Sequence, residues 1–125
     1  MKKAVALALA LVLILALLPG CGSRKLEASQ RAQILLEAAA FSRSGLIDKL
    51  VSEGFTRRDA EKGVDSLDVD WFRVAAIYAT EHWLDFFLAT DEQAVARLQE
   101  AGFSHLEAVQ GWALLLDTLN ASSKG

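Results

Sequence analysis

The sequence predicts an all-α protein: a small helical bundle of two tandem helix-turn-helix repeats with a 48-residue period, preceded by a signal peptide. Three observations support this prediction. Beyond Gln30, apolar residues recur at helical spacing without the alternation typical of strands. The single proline, Pro19, precedes this region. Finally, a shift of 48 residues superimposes one half of the chain on the other without a gap.

The superimposed residues predict two capped turns. Gly54 and Gly102 are expected to end helices in the left-handed conformation that glycine enters at low cost. The following residues fit the same interpretation: Phe55 and Phe103 come next, and Thr56 and Ser104 are expected to cap new helices. We therefore predict helices over residues 26–40, 43–53, 57–67, 69–88, 91–101 and 105–119, with Asp68 capping the fourth. They are short, so their apolar faces must be buried together; the core is expected to contain Ile47, Leu50, Val51, Val64, Leu67, Ile77, Trp83, Phe86, Phe87, Val95, Leu98, Trp112, Leu115 and Leu116.

The N-terminus predicts export. Lys2 and Lys3 precede 15 apolar residues, 4–18, which is the length of a secretory signal and short for a membrane span. The segment Leu18-Pro19-Gly20-Cys21 resembles a lipobox, which implies cleavage before Cys21 and attachment of acyl chains such as palmitate to that residue. The alternative is an uncleaved anchor over residues 4–22. Either way, the domain is expected on the extracytoplasmic face of the membrane.

These features give a predicted domain organisation. Residues 1–20 are the signal peptide, and 21–30 are the lipidated N-terminus and tether. The repeats occupy 31–120, divided into 31–69 and a divergent 70–120, and 121–125 form a disordered tail. Because Cys21 is the only cysteine, an intramolecular disulfide is excluded. Removal of Lys2 and Lys3 with the signal changes the net charge from −3 to −5, which disfavours nucleic acid as a partner.

The chain is not expected to be an enzyme or to bind a metal or cofactor. His82 and His105 lack a second histidine or a cysteine at ligand spacing, and no nucleophile elbow is present. The candidate partner surface is an acidic patch around an aromatic residue, formed by Asp65, Asp68, Asp70 and Trp71. The alternative is that the acids cap the following helix and that Trp71 packs in the core.

The first repeat carries a specific resemblance. It reads Phe41-Ser42, Gly45-Leu46-Ile47 with Leu50, Glu53-Gly54-Phe55-Thr56, Ala60, Val64-Asp65 and Val69-Asp70-Trp71. In these residues the chain resembles the Ltp family of host-cell-surface-exposed lipoproteins. The second repeat departs from the pattern at Ala94, Val95 and Ala101.

The resemblance implies a lipid-anchored surface protein that acts by binding a phage or envelope protein. The best-known members of the family act in superinfection exclusion, in which they block the entry of phage DNA. The alternative role is that of a housekeeping envelope lipoprotein that binds or spaces another envelope protein.

Overall fold

The computed structural model describes residues 24–124, and the regular secondary structure in this part of the chain is all α-helical. Its helices are α1 Lys25–Ala38, α2 Arg43–Ser52, α3 Arg57–Asp65, α4 Trp71–Glu81, α5 Trp83–Phe86, α6 Asp91–Glu100 and α7 His105–Ser123. The predicted all-α fold class is confirmed. The signal peptide and Cys21 lie outside the described residues, and the 48-residue period stays a prediction.

Five of these helices begin at a side-chain cap. In each, an oxygen of the residue before the helix accepts a hydrogen bond from the backbone N–H three residues later, which satisfies a donor that the helix itself leaves free. These caps are Ser42, Thr56, Asp70, Thr90 and Ser104. Polar residues placed just before apolar runs thus set the starts of α2, α3, α4, α6 and α7.

Two helix ends have the same glycine geometry. Gly54 ends α2 with a φ of 106°, and Gly102 ends α6 with a φ of 102°. In both turns the next residue, a buried phenylalanine, donates its N–H to the carbonyl five residues earlier at 3.1 Å, from Phe55 to Leu50 and from Phe103 to Leu98. This is the Schellman pattern, which reverses the chain so that the following cap can open a new helix.

The fourth predicted helix is corrected by the structure. It begins after Asp70 instead of Asp68 and is interrupted at His82, so it does not run unbroken to residue 88. The His82 ring stacks on that of Tyr78 with centroids 4.1 Å apart, and its Nδ1 lies 2.9 Å from the Tyr78 carbonyl oxygen. The backbone at His82 leaves the helical region, and the Asp85 N–H bonds the His82 carbonyl in a tighter turn.

Three residues predicted to lie in the core are exposed in the structure. Phe86 is buried, but Trp83 and Phe87 are exposed, as is Ile77 on α4. A continuous helix would have carried these aromatic residues along one buried stripe. The turn at His82 instead directs Trp83 and Phe87 to the surface.

The chain ends of the described part differ from expectation as well. Helix α1 begins at Lys25, and Ala28 is fully buried, so residues 25–30 are part of the packed domain and not a tether. At the other end, α7 continues to Ser123, past the predicted start of the tail at residue 121. Packing of α1 on α3 explains the first difference, because it gives the early turns of α1 a buried face.

The helices form two units, each with its own core. In the first unit, residues 24–67, α1 and α2 pack with α3 around Leu46, Leu50 and Val64. In the second, residues 68–124, α4, α6 and α7 pack around Leu98 and Trp112. Each unit thus buries its own apolar face.

A glycine lies at a tight helix crossing in each unit. A Cβ atom added at Gly63 on α3 would lie 2.6 Å from the Cβ of Ala28 on α1. One added at Gly111 on α7 would lie 2.5 Å from the Cβ of Ala75 on α4. The absence of a side chain at both positions lets the two backbones approach, which no larger residue permits without displacing a helix.

Serine side chains of the first unit join it to the second. The Ser42 hydroxyl, which caps α2, also donates to the Ala101 carbonyl at 2.7 Å, and the Ser44 hydroxyl donates to the Gly102 carbonyl at 3.2 Å. We call these two bonds the serine contact. Ser42 is only 2 % exposed. The carbonyls at the end of α6, which its own helix cannot satisfy, are thereby satisfied by the start of α2.

The two glycine turns provide a first prediction, because Gly54 and Gly102 share a backbone conformation but not surroundings. An added Cβ meets nothing within 4 Å at Gly54, whereas at Gly102 it would lie 2.5 Å from the Ser42 hydroxyl oxygen. We expect Gly54→Ala to lower the free energy of unfolding by about 1–2 kcal/mol through backbone strain alone. Gly102→Ala should cost about 1–3 kcal/mol more through overpacking. Urea denaturation measures both, and equal losses would contradict the serine contact.

The glycine crossings provide a second prediction. Within a helix, Gly→Ala ordinarily stabilises by about 1 kcal/mol. Gly63→Ala and Gly111→Ala should instead destabilise by about 1–3 kcal/mol, because the facing helix must move. Lys62→Ala and Gln110→Ala, at exposed neighbouring positions, are the controls and should change the denaturation midpoint little. A rise in the midpoint of both glycine variants would contradict the close crossings.

Candidate interaction surfaces

The structure assigns Asp65, of the predicted acidic patch, to an ion pair. Its two carboxylate oxygens accept hydrogen bonds from Nε and Nη2 of Arg43, at 2.7 and 2.8 Å. This bidentate contact lowers the pKa of Asp65 and raises the pKa of Arg43. The pair links the end of α3 to the start of α2, so the charge of Asp65 is already matched within the first unit.

Asp70 and Trp71 also make contacts within the fold. The Asp70 carboxylate accepts the Arg73 N–H at 3.2 Å and caps α4. The Trp71 side chain is half-buried and packs against the core of the first unit, although it belongs to the first turn of α4. These contacts match the alternative interpretation of both residues as structural.

Asp68 has a different setting, at the edge of a groove between α1 and α4. The groove has a volume of about 600 Å³, and its apolar lining includes Leu36, Leu67 and Ile77. Its acidic residues are Glu37, Asp68, Asp70 and Glu81, and Arg73 is the basic residue in the lining. We call this feature the inter-unit groove. It brings Asp68 and Asp70 together with two carboxylates that the sequence did not associate with them.

One wall of the groove is held by a hydrogen bond between the units. The Ala40 N–H, just beyond α1, donates to Oε2 of Glu81 at 3.0 Å. Together with the serine contact, this bond fixes the end of α4 beside the end of α1. The groove therefore depends on the packing of the two units, and no local sequence pattern indicates it.

A second surface is apolar and follows directly from the interruption at His82. Four side chains within six residues are exposed: Trp83 by 39 %, Leu84 by 88 %, Phe87 by 54 % and Leu88 by 82 %. We call them the apolar patch. Trp83 and Phe87 contact each other, with ring centroids 6.4 Å apart. This surface cannot be predicted from the sequence alone, because the same residues also suit the buried face of a continuous helix.

Charge is distributed unevenly between the units. Residues 24–67 contain eight Lys and Arg against seven Asp and Glu, whereas residues 68–124 contain three against nine. The first unit therefore has a net charge of +1, and the second has a net charge of −6. A partner that meets the second unit encounters a strongly acidic surface.

Residues 24–124 contain neither a candidate metal cluster nor a candidate membrane-spanning helix. In this part of the chain no three His, Cys, Asp or Glu side chains form a group that could hold a metal ion. Likewise, none of the helices described there is long and apolar enough to span a bilayer.

Comparison with known proteins found a family match within the first unit. The family model described as host cell surface-exposed lipoprotein (Lipoprotein_Ltp) matches residues 25–67, from the first residue of α1 to just beyond α3. No curated protein and no solved structure matches the chain. Residues 25–67 of this chain are therefore similar to the Ltp family of host cell surface-exposed lipoproteins, and the second unit lies outside the match.

Proposed function

We propose that the chain is a lipid-anchored interaction module on the extracytoplasmic face of the membrane and that it binds another protein through the inter-unit groove. The observation that carries this proposal is the groove itself, an apolar channel bordered by four carboxylates. Apolar surface supplies affinity, and the carboxylates supply orientation and selectivity. The partner that fits is a polypeptide segment with basic residues beside apolar ones.

Membrane attachment is proposed through Cys21. The family of the first unit consists of surface-exposed lipoproteins, and Cys21 follows an apolar segment typical of an export signal. Only Gly22 and Ser23 separate this cysteine from Arg24, where the described domain begins. A lipid on Cys21 would hold the domain directly at the bilayer.

Within this proposal, the specific role is superinfection exclusion by blocking the entry of phage DNA. The near-complete Ltp pattern of the first unit supports it, together with the surface exposure of the family. A protein held at the membrane is positioned to bind a phage component that arrives from outside. In this role the protein acts by binding and catalyses no reaction.

The alternative is a housekeeping envelope lipoprotein that binds or spaces another envelope protein. It is favoured by the extent of the family match, which ends at residue 67 and leaves the second unit outside. The departures at Ala94, Val95 and Ala101 lie in that unit. Both roles use the same anchor and groove, so the partner distinguishes them.

The anchor leads to a third prediction. Cys21→Ser removes the thiol that would carry the acyl chains, so the protein should leave the membrane fraction or accumulate as an unprocessed precursor. Cell fractionation combined with mass spectrometry of the N-terminus measures both outcomes. A variant with the same distribution and mass as the wild type would refute lipidation at Cys21.

The groove leads to a fourth prediction, for which Glu37 and Asp68 are the suitable positions. Both are exposed on the groove lining, unlike Asp65, which is ion-paired, and Asp70, which caps α4. In a susceptible host, wild-type protein should leave adsorption of labelled phage normal but reduce entry of its DNA. Glu37→Lys with Asp68→Lys should weaken partner binding roughly tenfold or more, because like charges across an interface cost several kcal/mol.

The matched control is Glu61→Lys with Asp117→Lys, which makes the same charge change at one exposed site in each unit outside the groove lining. The control should retain protection. Equal loss of protection in the two double variants would count against the groove. Normal DNA entry with wild-type protein across a panel of phages native to the host would reject exclusion and favour the housekeeping role.

A further inference from the structure

The apolar patch differs from an ordinary protein surface because four large apolar side chains are exposed within six residues. Leu84, Phe87 and Leu88 have the spacing of one helical face, and Trp83 lies against Phe87. Beneath them, Phe86 is 2 % exposed and lies near Trp112, with ring centroids 6.0 Å apart. The segment is therefore anchored in the core of the second unit by one phenylalanine, while its other bulky side chains face outward. Contiguous exposed apolar surface of this kind marks a binding site.

We propose that the apolar patch docks on the surface of the lipid bilayer, so that the protein is held at two points, by the acyl chains on Cys21 and by the patch. This inference rests on the lipid anchor of the proposed function. The bilayer is chosen as the occupant because of where the chain leaves the described domain, and because of the residue types in the patch.

The anchor at Cys21 and the apolar patch are close enough to contact the same bilayer. Gly22 and Ser23 connect Cys21 to Arg24, so the two Cα atoms are three residue steps apart, at most about 10 Å at full extension. Helix α1 has 14 residues and spans about 21 Å. The Ala40–Glu81 hydrogen bond places the end of α4 beside the far end of α1, and the patch begins two residues after Glu81. If α1 lies along the membrane, its two ends are at the same depth, so the anchor at one end and the patch near the other can both reach the bilayer.

The residue types in the patch suit the interface of a lipid bilayer. Tryptophan, phenylalanine and leucine are the side chains with which proteins enter the interface between lipid headgroups and acyl chains. No basic side chain belongs to the patch, and the second unit that carries it is strongly acidic. Docking should therefore be driven by burial of apolar surface and should be insensitive to salt, unlike attachment through a basic cluster.

The experiment uses the intact lipidated protein in phosphatidylcholine vesicles with brominated acyl chains, which quench tryptophan emission at short range. The chain contains three tryptophans. Of these, Trp112 is buried and Trp71 is half-buried, whereas Trp83 is exposed. Subtracting the emission of Trp83→Phe isolates the signal of Trp83. We expect this signal to be strongly quenched, with the same extent of quenching at low and high salt.

Leu84→Ser with Leu88→Ser should abolish this quenching. Burial of each leucine in the bilayer raises the equilibrium constant for docking about tenfold. Loss of both leucines should therefore lower this constant on the order of 100-fold. The matched control is Leu106→Ser with Leu119→Ser, two exposed leucines of the same unit outside the patch. The control should retain the quenching, and unchanged far-UV circular dichroism verifies that both variants are folded.

The remaining outcomes separate the two proposals. Protein that sediments with the vesicles while Trp83 stays unquenched overturns docking and leaves the lipid anchor intact. Protein that does not sediment contradicts the anchor and the docking together. A detergent-solubilised dimer that the Leu84→Ser and Leu88→Ser double variant converts to a monomer overturns bilayer docking in favour of a second copy of this chain.

Discussion

The arrangement of the two units depends on a serine hydroxyl that serves both of them. Ser42 satisfies the N-terminus of α2 through the Gly45 N–H and the C-terminus of α6 through the Ala101 carbonyl. The hydroxyl is buried, so losing either partner would leave a polar group unsatisfied away from water. Each unit buries its own apolar core, and the relative position of the units is specified by polar bonds together with the packing of Trp71, from α4, on the core of the first unit. The inter-unit groove exists because these bonds, with the one between Ala40 and Glu81, hold α4 beside α1.

The same local turn has different consequences in the two units. Gly54 and Gly102 end their helices with nearly equal φ angles and with the same backbone hydrogen bonds. Open space surrounds Gly54, whereas Gly102 lies against Ser42 and Ser44. One glycine is thus required by the backbone conformation alone, and the other also by the approach of a neighbouring unit. Similar sequence at two places therefore supports a turn in both but a contact in only one.

The two candidate surfaces differ in how far their apolar side chains are exposed. In the inter-unit groove, apolar side chains are partly shielded and bordered by carboxylates, a setting suited to a basic polypeptide segment. In the apolar patch, Leu84 and Leu88 are almost fully exposed, and their immediate environment suits lipid. The two surfaces lie close together at Glu81, which lines the groove and precedes Trp83 of the patch by two residues. The groove lining includes none of the four patch side chains, so the proposed partner binding and membrane docking involve separate residues.

The sequence by itself determined the helical class, the start of most helices and the similarity of the first unit to a lipoprotein family. These features depend on interactions within a few residues, such as the caps at Ser42 and Thr56 and the turn at Gly54, so they can be inferred from local patterns. Only the tertiary structure decided which apolar residues are buried. The run from Trp71 to Leu88 has the composition of one long helix, but the helix is interrupted at His82, and Trp83 and Phe87 are exposed. The ion pair of Asp65 with Arg43 and the groove beside Asp68 likewise join residues distant in sequence, and only packing brings such residues together.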